Sequence, residues 1–101
     1  MSSYGTPLYG TAIVPASAAA QVGVTGSRRL MKVILTAGAS NAGTVEFKNA
    51  ATDTGDVLLT LAAVAGTSVE IDLCEVGGLT FGTAIFCKPA GTGAICHVWF
   101  S

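Results

Sequence analysis

The chain has 101 residues, half of them hydrophobic, 13 of them glycine and only 11% charged, with a formal net charge of −1. That length is one domain, and it suffices to bury roughly 60–70% of the surface that the unfolded chain exposes. Five basic residues are too few for the basic stripe that nucleic acid requires, and a charged fraction well under the usual ~25% equips the surface poorly to hold copies apart, so a covered surface is expected.

In chain order, "MSSYGTPLYGTAIVPASAAA" (1–20) has no positively charged start and no continuous apolar core. It does not read as a secretory signal, and the protein is expected to be made and used without crossing a membrane. Residues 1–27 read as an N-terminal arm with one short edge strand, "TAIVPA" (11–16), where proline is tolerated. "SAAAQ" is too short for a stable helix. Tyr4, Pro7, Leu8 and Tyr9 are the arm residues expected to reach a partner, and the surrounding Gly, Ser and Ala suit a segment that orders on binding.

From Arg28 to Ser101 strand follows strand. "RRLMKVILT" places Met31, Val33 and Leu35 on one face. "AGASNAG" (37–43) is a turn. "TVEFK" turns Val45 and Phe47 inward and Thr44, Glu46 and Lys48 outward. "NAATDTG" (49–55) is a second turn, with Asp and Gly where special backbone angles are needed. "DVLLTL" places Val57, Leu59 and Leu61 inside. "SVEIDL" alternates Val69, Ile71 and Leu73 inward against Ser68, Glu70 and Asp72. "GGLTFG" is a short strand between glycines. Period-2 alternation with regularly spaced turns predicts an all-β, antiparallel, jelly-roll-like β-sandwich of seven or eight strands over residues 28–101. Less than about a tenth of the chain is expected to be helical.

The last stretch, "GTAIFCKPAGTGAICHVWFS" (82–101), reads as a hairpin around a Pro-Gly loop. It is apolar on both faces. Ile85 and Cys87 oppose Phe86 on one strand, and Ile95, His97 and Trp99 oppose Cys96, Val98 and Phe100 on the other. One face is expected to pack on the core. The second, with Phe86, Ile95, His97 and Trp99, is expected to meet another copy or another protein, because apolar patches beyond a few hundred Å² are rare on free monomers.

Little in the chain points to catalysis or metal chemistry. His97 stands alone in a strand, with no carboxylate or serine beside it in sequence. Cys74, Cys87 and Cys96 lack the paired spacing of zinc sites. Cys87 and Cys96 read either as small buried hydrophobes or as a cross-strand disulfide. Asp53 and Asp56 read as turn residues, and "GTGAIC" is not a phosphate loop. No nucleophile, base and orienting group can be named together, so no enzyme, cofactor or metal is expected. The mean hydropathy of +0.63 raises the question of a membrane, but the longest apolar run, residues 57–66, is about half the ~20 residues a span needs.

The runs "RRLMKVILTAGASNAGTVEFKNAATDTGDVLLTL", "TSVEIDLCEVGGLTFGTAIFC" and "CHVWF" resemble a group of small virion proteins of tailed bacteriophages. Gly43–Lys48 and Gly77–Phe86 carry the match, which covers about residues 28–101; residues 1–27 match less well. The resemblance implies a head decoration (cement) protein, often trimeric, that sits on the lattice of the major capsid protein, with the host cytoplasm as its place of assembly. It carries over no catalytic residue. A tail- or fibre-associated component, or a carbohydrate- or receptor-binding β-sandwich, is the alternative.

Overall fold

A computed structural model describes residues 10–101. They form nine strands: β1 (Gly10–Pro15), β2 (Ala20–Val22), β3 (Arg28–Thr36), β4 (Gly43–Asn49), β5 (Val57–Ala63), β6 (Ser68–Asp72), β7 (Leu79–Phe81), β8 (Ile85–Ala90) and β9 (Ile95–Phe100). Among the described residues the only helical pieces are two 3-10 turns, Ala16–Ala18 and Cys74–Val76. Among the described residues no helix is long and apolar enough to cross a membrane.

All pairings are antiparallel, in two sheets. The front sheet runs β1-β9-β3-β6, with β7 also paired to β3, and the back sheet runs β2-β8-β4-β5. With β7 set aside, the first strand pairs with the last (β1 with β9) and the second with the last but one (β2 with β8). Moving inward, β3 pairs with β6 and β4 with β5. That nesting is the jelly roll, two sheets folded over one core. Leu30, Val33, Leu35 and Val98 from the front sheet meet Val45, Phe47, Ile85 and Val22 from the back, all essentially inaccessible to water.

Four expectations change. First, residues 82–101 are not a hairpin. β8 lies between β2 and β4 in the back sheet, and β9 lies between β1 and β3 in the front sheet. The chain crosses layers through Gly91–Ala94, so each strand buries its own inner face and the two outer faces point to opposite sides of the molecule. Second, residues 10–22 of the expected arm are integral to the sandwich: β1 adds an edge to one sheet and β2 to the other. β1 makes six register pairs with β9. Third, the inward phase slips at two bulges. Leu30 pairs with Phe100 and Lys32 with Trp99, so Met31 is the extra residue. It is buried instead under the segment after β6, where the Leu73 N–H donates to the Met31 carbonyl at 2.8 Å. Phe47 pairs with Leu59 and Lys48 with Val57, so Leu58 is extra and Val57 faces out, 43% exposed. Fourth, Leu59, Val69, Ile71 and Leu73 line the core's margin half-buried, whereas Val33, Leu35, Val45 and Phe47 are fully inside.

Candidate functional site

The candidate surface is the outer face of the front sheet. Alternation along β9 turns Cys96, Val98 and Phe100 inward and Ile95, His97 and Trp99 outward. Register then builds three rows across the sheet. Thr11, Trp99, Lys32 and Asp72 form the first; Ile13, His97, Ile34 and Glu70 the second; Pro15, Ile95, Thr36 and Ser68 the third. The β1–β9 half is apolar, with Ile13 67% exposed and Ile95 37% exposed, beside the half-buried Trp99 ring. The β6 half is polar. Lys32 joins them: its Nζ lies 5.2 Å from the Trp99 ring centroid and 3.3 Å from a Glu70 carboxylate oxygen. A cation over an indole is a favourable, orienting contact. Asp72 accepts the Cys74 backbone N–H at 2.9 Å, and that bond holds its carboxyl below the ordinary value of 3.8.

Ile95, His97 and Trp99 therefore share one outer face. Phe86 does not join them. It sits on the outer face of the back sheet, between Gln21 and Lys48 in register, and it is only 9% exposed. Beside it, the 50–56 loop is tied to the outer face of this sheet. Asp53 takes Lys48 at 2.6 Å and Lys88 at 2.9 Å. The bond from Lys48, then that from Lys88, holds the Asp53 carboxyl below 3.8. Asp53 is thus the keystone of a small ion-pair network. Tyr4, Pro7, Leu8 and Tyr9 lie outside the described residues.

His97 has Ile13 and Ile34 as its cross-strand neighbours, and the first carboxylate on its row, Glu70, lies one strand further and pairs with Lys32. Among the described residues no three His, Cys, Asp or Glu side chains cluster in a way that could hold a metal ion. Cys87 and Cys96 are both free and fully buried, one in each sheet. A hydrogen bond with the Cys96 thiol, then burial, pushes the Cys87 thiol up, so it stays protonated.

Ile13 and Ile34 escaped sequence reasoning, although Ile13 sits in the strand expected at 11–16. Their place beside His97 depends on which strands flank β9, and no local pattern encodes that. The Lys48–Asp53–Lys88 network was hidden for the same reason.

Neither a scan against protein-family models nor a search of curated proteins finds a match for this chain.

Proposed function

We propose that this protein is a structural component of a bacteriophage virion that decorates the capsid and stabilises it by binding the major capsid protein lattice, as a homo-oligomer, a trimer. The observation that carries the reading is the open apolar half of the front sheet, Ile13, Ile95 and Trp99, on a molecule with so few charges. Interface cores are depleted in charge and enriched in aromatic residues, and a closed symmetric contact between copies covers such a patch. A jelly roll is one of the frameworks viral shells use, but it also serves lectins, so the fold by itself does not choose. A subunit that bridges shell proteins stabilises the closed shell by mass action, because it binds that state and not the broken one. A standard contact buries about 1,600 Å², and many copies add their effects.

A second reading rests on one feature. Trp99 is a half-buried ring with Lys32 over it and Thr11 beside it in register, which is an aromatic surface with a polar rim suited to a sugar ring on a receptor. The test separates the two. Particles lacking this protein should lose resistance to heat and chelation while adsorbing to cells normally. Unchanged heads with lost adsorption would replace the capsid role with the receptor-binding one.

A further inference from the structure

The edge of a β-sheet presents backbone N–H and C=O groups that a strand of another chain can pair, and folds blunt such edges with charge, proline or brevity. Five strands of this sandwich are edges: β1, β6 and β7 in the front sheet, β2 and β5 in the back. Four of them are blunted. β2 and β7 have three residues each, β6 carries Glu70 and Asp72, and β1 is bounded by Gly10 and Pro15. β5, "VLLTLAA", has seven residues with no charge, proline or glycine. Its bulge lies at the Leu58 end, and from Leu59 to Ala63 its register with β4 is regular. Among the described residues no strand pairs with its outer edge.

The same strand concentrates exposed apolar side chains. Of the seven large aliphatic side chains exposed among the described residues, Val57, Leu58 and Val64 lie on β5 or just beyond it. Leu59 and Leu61 are half-buried at the margin of the core. A second copy of β5 answers this pattern. When a two-fold axis passes through a residue, antiparallel strands keep inward side chains opposite inward ones. An axis through Leu61 sets Leu59 against Ala63, Thr60 against Ala62 and Leu58 against Val64, so the exposed ends of the two strands cover each other. An axis through Thr60 would instead set Val64 against the charged Asp56. Like charges directly opposite one another destabilise a strand pair, and β5 has none to oppose.

We propose that two copies of this chain pair their β5 strands antiparallel about a two-fold axis at Leu61, joining two four-stranded back sheets into one continuous sheet. The contact is isologous and closes with two copies, because each occupies the other's open edge. It does not depend on the front-sheet contact proposed above: β5 borders the sandwich on the β6 side, away from the β1–β9 half.

The test uses the full chain with Trp99→Ala, which weakens the front-sheet contact and lets β5 be read by itself. Over a concentration series this chain should sediment at up to twice the 10.1 kDa chain mass. Two further variants are made in it, Thr60→Lys with Ala62→Lys and Thr60→Glu with Ala62→Glu, both at exposed outer positions of β5. Each alone sets like charges opposite one another and should fall to the single chain mass, with unchanged far-UV circular dichroism. Mixed one to one they oppose lysine to glutamate and should return to twice the chain mass. Amide hydrogen exchange at alternate residues of 59–63 should slow in the pair and not in either charged variant alone. A Trp99→Ala chain that stays monomeric, charged variants that keep its mass, or a mixture that stays monomeric would each overturn the β5 pairing. None of these results bears on the front-sheet contact, which the unaltered chain reports by its loss of association on Trp99→Ala.

Discussion

The two outer faces of this sandwich obey the same alternation and finish differently. On the back sheet, Phe86 is only 9% exposed, flanked in register by Lys48 and Gln21, with Lys48 and Lys88 tied to Asp53 of the neighbouring loop. On the front sheet, Trp99 has a single cation over it, and Ile13 and Ile95 stand open beside it. Two aromatic side chains on outer strand positions thus differ in burial, Phe86 closed off within the described residues and Trp99 partly open. Under the proposed function, the front sheet is the surface that a partner would cover.

The largest expected effect breaks the comparison if it fails. Phe86→Ala should cost about 3 kcal/mol, as truncation of a well-packed phenylalanine does, and lower Tm by more than ~10 °C in a domain of this size. Self-association of the part still folded should not change. A small loss of stability together with weaker association would make the back sheet a docking face too.

Trp99→Ala should do the opposite. Its effect on Tm should be slight, because the ring is already partly in water. Association should weaken at least ~30-fold, the effect expected of an aromatic residue central to an interface. Equilibrium sedimentation over a concentration series measures this directly, and an unchanged association constant removes the front sheet from the interface.

The smallest effect sharpens the account of the back sheet's outer face. Asp53 has its carboxyl held below the ordinary 3.8 by Lys48 and Lys88, so the folded state prefers it ionised. The stabilisation is fully present above that ordinary value and is lost as pH falls through the depressed one. Asp53→Asn should lower the urea midpoint slightly near neutrality, and the gap to the unaltered chain should close in acid. The pairs are exposed and screened by solvent, so a large gap at neutral pH, or one that persists in acid, would show that Asp53 acts through something other than its charge.

The sequence by itself determined the fold class, because alternation is local. Val33, Leu35, Val45 and Phe47 each stand two residues from the next inward neighbour, and turns rich in Gly, Asn and Asp separate the runs. The paucity of charge and the isolation of His97 are equally local facts. Strand order was decided only in three dimensions. A run apolar on both faces, such as 85–100, fits a covered hairpin as well as two strands that cross from one layer to the other, since both arrangements bury the same residues. Closing the sandwich chose the crossing, because β8 and β9 gain their hydrogen bonds from strands far away in the chain, β4 and β3, and from the N-terminal β2 and β1. The bulges at Met31 and Leu58 left no mark in composition, yet a one-residue slip moves every following side chain to the other face. Phe86 and Trp99 therefore look alike in the sequence, and only the tertiary structure puts them on opposite sheets, one nearly closed off and the other partly open.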